Sequence, residues 1–180
     1  EARFDLGDFK PFDCYTYALV SDGDLMEGVS QEAASFAGHM KLGNLIYLYD
    51  DNDVSLDGPT ELTFHREDTA KKFEGMGWHV EKVDGHNPEE VAKAIAKAQK
   101  KTEQPSLIIC KTVIGYGSPA KAGTSGAHGS PLGPEEGEVT KKELGIPLEE
   151  FHVPQEDRYA WAERRAELQK YYEEWQQQLK

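Results

Sequence analysis

The chain has 180 residues and a formal net charge of −13, from 20 Lys and Arg against 33 Asp and Glu. Hydrophobic residues make up 38% of it and aromatic residues 10%, which is too much for a disordered protein and enough for one domain with a core. The acidic balance argues against a protein that mainly binds nucleic acid or an anionic membrane. It does not exclude a local anion-binding site, because helix ends bind phosphate without net positive charge.

Cysteine content and hydropathy indicate the compartment. Cys14 and Cys110 do not make a disulfide framework, which favours a reducing environment. The chain begins at Glu1 with no basic-then-apolar leader, and no run approaches the roughly 20 apolar residues of a membrane span. We therefore expect a cytoplasmic protein without a membrane partner.

Short apolar runs alternate with segments of helical periodicity along the chain. Buried strands are predicted at residues 15–20, 45–49, 78–83 and 107–113, and helices at residues 29–40, 68–76 and from Asn87 onward. Within residues 29–40, one helical face carries Val29, Ala33, Phe36, Ala37 and Met40. This alternation predicts an α/β fold, with a doubly wound, mostly parallel sheet and helices on both faces.

Two later segments differ in composition. Residues 116–133 form a long loop rich in Gly, Ser, Ala and Pro, and a loop of this length is usually either functional or disordered. After Pro154 a charged segment follows, with apolar residues at helical spacing, which we interpret as a surface helix or connector. The chain is therefore divided into a domain at residues 1–154 and a helical connector or C-terminal tail at residues 155–180.

Two predicted loops that follow neighbouring strands carry oxygen donors. Residues 21–28 (Ser-Asp-Gly-Asp-Leu-Met-Glu-Gly) follow the first strand, and residues 50–58 (Asp-Asp-Asn-Asp-Val-Ser-Leu-Asp-Gly) follow the second. Ligands of such sheets lie at the carboxyl ends of the strands, where Asp22 and Asn52 offer oxygens that suit Mg²⁺ or Ca²⁺. Gly23 lets a phosphate approach the backbone. Asp-Gly after a strand is also a common turn, but the second loop favours a cation site.

These loops together resemble the thiamine-diphosphate motif, in which an Asn follows Gly-Asp-Gly after about thirty residues. The resemblance is closest to transketolase, and it runs from about Phe12 to about Pro154. It is carried by residues 21–33, 42–52, 55–58, 77–80, 111–119 and 127–133. Several separate blocks in the same order make it specific. It implies that residues 1–154 are a thiamine-diphosphate-binding fold, the N-terminal diphosphate-binding domain, incomplete at its own N-terminus.

The resemblance also implies roles for individual residues in cofactor binding. Asp22 and Asn52 would bind the divalent cation through their side chains, and Val54 through its backbone carbonyl oxygen. Gly23 would donate its N–H to the diphosphate. Leu56 would lie against the thiazolium ring and help to hold the bent cofactor. The implied cofactors are thiamine diphosphate and Mg²⁺ or Ca²⁺.

Three further residues match catalytic or interface positions. His128, flanked by Gly126 and Gly129, matches a histidine that reaches the diphosphate and the reacting donor sugar. Glu27 and Glu32 match acidic residues near the dimer interface, in a carboxylate network that links the two sites. Glu27 is also explained by the favourable field at the start of a helix.

The implied activity is that of a transketolase, a cytoplasmic enzyme of the pentose phosphate pathway. It transfers a two-carbon ketol unit from a ketose phosphate to an aldose phosphate. The catalytic Glu that activates the aminopyrimidine and the substrate-phosphate segments are missing from these residues, so we expect the chain to be inactive alone. The expected partner is an aminopyrimidine-binding domain or subunit, in a homodimer or a split hetero-oligomer.

Alternatives remain at this stage. One is another thiamine-diphosphate enzyme, a deoxyxylulose-phosphate synthase or a 2-oxoacid dehydrogenase component, although residues 111–119 and 127–133 argue against both. Another is a non-catalytic truncated homologue that keeps a docking surface. The sequence also departs from the motif, because Ser21 replaces its first Gly. Ser is small enough for the turn, but the closest backbone approach could change.

Overall fold

The computed structural model describes Phe4, residues 7–63 and residues 66–179. Contacts between Cα atoms divide the chain into two units, one of Tyr15–Gly145 and one of Glu1–Cys14 with Ile146–Lys180. The predicted boundary between residues 154 and 155 stays a prediction.

The described elements follow in chain order. The strands are β1 (Thr16–Ser21), β2 (Leu45–Asp51), β3 (Val54–Ser55), β4 (Gly58–Pro59), β5 (His79–Asp84) and β6 (Ser106–Lys111). The helices are α1 (Asp22–Met26), α2 (Gly28–His39), α3 (Thr69–Gly75), α4 (Pro88–Ala98), α5 (Pro134–Glu143) and α6 (Gln155–Leu179). Single 3₁₀ turns lie at Thr60–Leu62 and Ser125–Ala127.

A four-stranded parallel sheet with the order β1-β2-β6-β5 organises the larger unit. The register places Val20 opposite Tyr49, and Tyr49 opposite Ile109. The carboxyl ends of the four strands therefore lie at one end of the sheet, where Asp22 begins α1 and the loop of Asn52 follows β2. β3 and β4 form a small antiparallel hairpin directly after β2.

Helices pack on both faces of the central strands, because alternate residues of each strand point to opposite faces, whereas Leu19 on β1 stays 85% exposed. On one face Leu107 and Ile109 pack with side chains of α1, α2 and α3, such as Phe73, and with Trp78, which follows α3. On the other face Ile108 and Cys110 pack with Ala94 and Ala98 of α4. The predicted α/β fold, with a parallel sheet between two helical layers, is confirmed.

The predicted helices are confirmed, and their ends follow from local chemistry. The Asn87 side chain accepts hydrogen bonds from the N–H groups of Glu89 and Glu90, and Pro88 occupies the first turn of α4. Asp68 caps α3 by accepting from the N–H of Lys71 at 3.1 Å. Helix α5 has no counterpart among the predicted elements, and α1 occupies most of residues 21–28, which were predicted to form a loop.

Most of the predicted apolar face of α2 points outward rather than onto the sheet, and Ala37 is the exception. The helix buries Ala34 and Ala37, which pack on the sheet, whereas Val29 is 71% exposed and Phe36 is 62% exposed. Hydrophobic periodicity marks an apolar face, but it does not say whether that face meets the chain's own sheet or another polypeptide.

The smaller unit contains α6, which is exposed along most of its 25 residues. The Trp175 indole N–H donates a hydrogen bond of 3.2 Å to the carbonyl oxygen of Pro11, which joins the helix to the N-terminal segment of the same unit. Among the helices of the described part of the chain, none has the length and apolar character to cross a bilayer.

Candidate functional site

The turn between β1 and α1 is built on Ser21 and Asp24. The backbone N–H and the hydroxyl of Ser21 both donate hydrogen bonds of 2.8 Å to Oδ2 of Asp24. Ser21 thus supplies a hydroxyl that ties down the first turn of α1, which a glycine would not do. The Ser that replaces the motif's first Gly and the acidic residue at position 24 belong to one local arrangement, which flanks the buried Asp22.

The Asp22 carboxylate is buried and only partly satisfied. Asp22 is 6% exposed, and its Oδ1 accepts a hydrogen bond of 2.5 Å from the Tyr49 hydroxyl. Its Oδ2 is buried without a hydrogen-bond partner among the described residues. Burial raises the pKa of Asp22, and Asp51 and Asp53 add to this, while the Tyr49 hydroxyl and the Asn52 N–H oppose it. A buried carboxylate oxygen without a donor is the kind of atom that a cation stabilises.

The loop after β2 holds Asn52 through its own hydrogen bonds. The side-chain oxygen of Asn52 accepts from the N–H of Val54 at 3.0 Å, and its amide group donates to Asp50 at 2.9 Å. Asp53 follows with a φ of 61°, a left-handed conformation that Asp tolerates. The Asn52 oxygen keeps a second lone pair for another partner. Val54 is buried in β3, and Leu56 lies in the turn of the hairpin and is 66% exposed.

Lys111, at the end of β6, joins this loop to the sheet. Its ammonium group forms ion pairs with the carboxylates of Asp51, at 3.4 Å, and Asp53. Burial lowers the pKa of Lys111, but the two carboxylates outweigh this effect, so the net pKa lies above its usual value. Lys111 therefore offsets part of the negative charge that the loop brings towards Asp22. The sequence pattern predicts no individual role for this residue.

A polar cavity of about 590 Å³ opens beside Asp22. Tyr49, Asp51 and Asp53 line it from the β2 side, and Gln31 lines it from α2. The side-chain oxygen of Gln31 is also buried without a partner in the part of the chain that the structure describes. Two unsatisfied oxygens thus belong to residues that line one cavity, a donor set that suits a hard cation. Gly23, Asn52, Leu56 and His128 are not among the residues that line it.

Three other predicted residues lie on α1 and α2 or between them. Gly23 is in the first turn of α1, and the position of a Cβ on it has no described atom within 4 Å. Glu27 is exposed between α1 and α2, and its carbonyl oxygen accepts from the N–H of Ser30 at 3.1 Å. Glu32 is exposed on α2. No three His, Cys, Asp or Glu side chains of the described residues converge as a metal group. A cation at Asp22 would thus take further ligands from amide, backbone, water or phosphate oxygens.

His128 lies on the long loop after β6, which is ordered by internal hydrogen bonds. Its own Nδ1 is buried and has no partner among the described residues. The Glu136 carboxylate of α5 accepts from the Ser118 hydroxyl and from the N–H of Ala120, at 2.9 Å for the latter. At the start of the loop, Nε2 of His86 accepts from the N–H of Val113 at 2.9 Å. These contacts hold the first part of the loop, residues 113–120, and His86 has a structural role there.

Comparison with known proteins gives a consistent result. The family model described as the thiamine diphosphate binding domain of transketolase matches residues 1–180. Transketolase from Geobacillus stearothermophilus is 48% identical, over 99% of this chain and 27% of that protein. Transketolase 2 from Escherichia coli is 49% identical, over 91% of this chain and 24% of that protein. The chain thus spans about a quarter of the length of these relatives.

Solved structures show the same likeness. A transketolase from Pichia stipitis in complex with sedoheptulose 7-phosphate superposes with a TM-score of 0.90 at 43% identity, over 98% of this chain and 26% of that one. Transketolase from Leishmania mexicana superposes with a TM-score of 0.87 at 38% identity, over 97% of this chain and 27% of that one.

Proposed function

Because the chain belongs to the transketolase family through its thiamine diphosphate binding domain, we propose that it is the diphosphate- and metal-binding part of a working transketolase. The assembled enzyme would transfer a two-carbon ketol unit from a ketose phosphate to an aldose phosphate. The complex of the Pichia stipitis relative with a sugar phosphate supports this substrate class. The low cysteine content supports a reducing compartment such as the cytoplasm. As a transketolase, the assembled enzyme would belong to the pentose phosphate pathway.

The observation that carries this proposal is the buried, unpartnered Oδ2 of Asp22 beside a polar cavity. Leaving an ionised carboxylate oxygen buried without a partner is costly, and a divalent cation removes that cost. Asn52 would add its side-chain oxygen and Val54 its carbonyl oxygen, which with water and phosphate oxygens suits Mg²⁺, or Ca²⁺ in its place.

The remaining site residues would bind and orient the cofactor. Thiamine diphosphate, when bound, supplies the carbanion chemistry that breaks and forms the carbon–carbon bond. Gly23 would donate its N–H to the diphosphate, and the exposed Leu56 side chain would pack on the thiazolium ring. His128 would bring its buried, unpartnered Nδ1 within reach of the diphosphate and the donor sugar, as a group able to hold or donate a proton.

Other polypeptide would complete the site. The outward apolar face of α2, with Val29 and Phe36, is a surface that a second chain would cover, and Glu27 and Glu32 lie beside it. On the edge strand, Leu19 is 85% exposed and offers a further apolar surface. We place an aminopyrimidine-binding domain or subunit there, in a homodimer or a split hetero-oligomer.

Cofactor binding is the direct test. Calorimetric titration of thiamine diphosphate into the full chain, with and without Mg²⁺, should show binding that depends on the metal. Asp22→Ala should abolish it, whereas Asp157→Ala, which removes one exposed carboxylate from α6, should leave it unchanged. The chain should be inactive alone, and it should transfer ketol units from xylulose 5-phosphate once the aminopyrimidine-binding domain and the substrate-phosphate segments of a transketolase are both supplied.

The outcomes separate the possible functions. Cofactor binding without ketol transfer in the assembled enzyme, but with turnover of pyruvate, would favour another thiamine-diphosphate enzyme. No binding even with the added domain would reject the proposed site and leave the chain as a non-catalytic homologue.

A further inference from the structure

The second part of the long loop, residues 121–132, is closed on itself by the side chain of Lys121. The ammonium group donates hydrogen bonds to the carbonyl oxygens of Pro131, at 3.2 Å, and Leu132, at 3.1 Å. These two carbonyl groups lie directly before α5, which begins at Pro134. One side chain therefore joins the two ends of this closed segment, and His128 lies between them.

The backbone of Lys121 is itself held by the first part of the loop. Its N–H donates to the Ser118 hydroxyl at 3.1 Å, and Ser118 is 2% exposed. The same hydroxyl donates to the carboxylate of Glu136 in the first turn of α5. The ammonium group thus extends from a backbone position that contacts with both the loop and α5 keep in place.

A series of turns leads from Lys121 to His128. The Thr124 hydroxyl donates to the carbonyl oxygen of Lys121 at 2.8 Å, and the N–H of Ala127 donates to the carbonyl oxygen of Thr124 at 3.1 Å. The N–H of His128 then donates to the carbonyl oxygen of Ser125 at 3.0 Å. The place of the His128 backbone therefore follows from that of Lys121.

The imidazole of His128 depends on this backbone, because it is not anchored through Nδ1. That atom is buried and has no hydrogen-bond partner among the described residues. The neighbouring Ala127 is packed against the first part of the loop, since a Cβ on Gly115 would lie 2.9 Å from the Cβ of Ala127. The closed segment thus sets where the imidazole lies, and Lys121 closes it.

We propose that Lys121 is a positioning residue, which holds His128 in place for the cofactor diphosphate by closing residues 121–132. This inference rests on the proposed function, in which His128 reaches the diphosphate. Hydrogen bonds from a charged donor are stronger than those from a neutral one, and the ammonium group uses two of its three donors here. A Gly-rich segment that is already closed loses less conformational entropy when a ligand orders it, so binding and orientation both gain.

Two variants of Lys121 and one control isolate the ammonium group. Lys121→Met removes the donors and keeps the length of the side chain, whereas Lys121→Arg keeps a charged donor of similar reach. Lys142→Met is the matched control, because it removes an ammonium group that pairs with Glu138 within α5.

Hydrogen exchange of the full chain at neutral pH is the first measurement. In Lys121→Met the amides of Ala127 and His128 should exchange about 10-fold faster, the size expected for the loss of a hydrogen bond from a charged group. Lys121→Arg should restore the protection of these amides, and Lys142→Met should not change it. Equal exchange in the wild type and Lys121→Met overturns the role of Lys121.

The imidazole signals give a readout that a merely structural role would not move. In a chain labelled with ¹⁵N-histidine, the ring signals of His128, identified by their loss in His128→Asn, would be followed as Mg²⁺ and inorganic pyrophosphate are added. In the wild type they should shift as pyrophosphate binds. In Lys121→Met pyrophosphate should still bind, as calorimetry measures, but the shift at saturation should be much smaller, and Lys121→Arg should restore it.

The wild-type chain also tests the closed segment without relying on the folding of a variant. Its Ala127 and His128 amides should exchange at least about 10-fold more slowly than their intrinsic rates, because both are bonded within the segment. Unprotected amides at these two positions overturn the inference.

The failures of the two proposals are distinguishable. Ring signals that shift equally in the wild type and in folded Lys121→Met overturn the role of Lys121 and leave the proposed function standing. Pyrophosphate binding without any shift of the His128 signals overturns the roles of His128 and Lys121, while the metal site at Asp22 stands. A wild-type chain that binds no pyrophosphate rejects the proposed function, and the inference with it.

Discussion

The indole N–H of Trp78 donates a hydrogen bond of 2.8 Å to the backbone carbonyl oxygen of Ala34. Trp78 follows α3, and Ala34 lies on the buried side of α2, so this bond joins the two helices that cover one face of the sheet. The ring also packs against Phe73 and Tyr47, with centroids 5.1 and 4.8 Å away. Trp78 therefore anchors α2, the helix that begins beside the candidate site, to the sheet.

Replacement of Trp78 by Phe should destabilise the fold by about 2–3 kcal/mol, because it removes the hydrogen bond to Ala34 and leaves a cavity where the larger ring was. Urea unfolding followed by circular dichroism measures this change. Trp161→Phe on the exposed side of α6 is the matched control and should change stability by less than about 0.5 kcal/mol. Equal stability of the two variants would contradict the role given to Trp78.

Gly38 permits a close approach of α2 to the end of α3. A Cβ on Gly38 would lie 1.8 Å from the carbonyl oxygen of Met76, which is backbone and cannot rotate away. Gly38→Ala should therefore cost about 3 kcal/mol or more, since the helix must move. Gly137 in α5 has open space around the same position, so Gly137→Ala should stabilise the protein by about 0.5–1 kcal/mol. Thermal unfolding of the two variants should shift in opposite directions, and a tolerated Gly38→Ala would show that this helix contact is not tight.

Lys111 fixes the loop of Asn52 more than it stabilises the protein. Its ion pairs with Asp51 and Asp53 are partly exposed, so Lys111→Met should change the free energy of unfolding by less than about 1 kcal/mol. Hydrogen exchange in residues 51–60 should nevertheless become faster, because the N–H of Val54 bonds within this loop. The control is Lys97→Met, which breaks an ion pair with Glu81 elsewhere on the sheet. Unchanged hydrogen exchange in residues 51–60 would show that Lys111 does not hold the loop of Asn52.

The strands and helices of this fold could be predicted from the sequence because their signals are local. Continuous apolar runs gave β2 and β6, and Asn87 with Pro88 marked the start of α4. The motif around Asp22 and Asn52 identified the edge of the sheet that carries the cavity.

The contacts that shape the site could not be predicted in this way. The bond between Tyr49 and Asp22 depends on the register of β1 against β2, which brings together residues far apart in the chain. Tyr49 appeared in the sequence only as one more residue of a buried strand. A polar hydroxyl in a continuous apolar strand that ends beside an Asp-rich loop is the signal that could have identified it. The roles of Glu27, Leu56 and His128 stay predictions, because they concern groups outside this chain.

The Glu136 carboxylate gives the loop of His128 a dependence on pH. The Ser118 hydroxyl, and next the N–H of Ala120, lower the pKa of Glu136, because both donate to its ionised form. A carboxyl whose pKa is depressed on folding contributes its full stability above the ordinary value of about 4.3 and loses it as the pH falls through the depressed pKa. Hydrogen exchange of the Ala120 amide should therefore accelerate, relative to its intrinsic rate, as the pH falls below about 4.

Glu136→Gln keeps an acceptor but cannot ionise, so its loop should exchange faster at neutral pH and lose this acid dependence. Glu138 provides the control, since its pKa is lowered by the Lys142 ammonium group one turn along α5, away from the loop. Glu138→Gln should leave the exchange of Ala120 and its pH profile unchanged. If Glu136→Gln and the wild type have the same profile, the carboxylate of Glu136 does not hold the loop that carries His128.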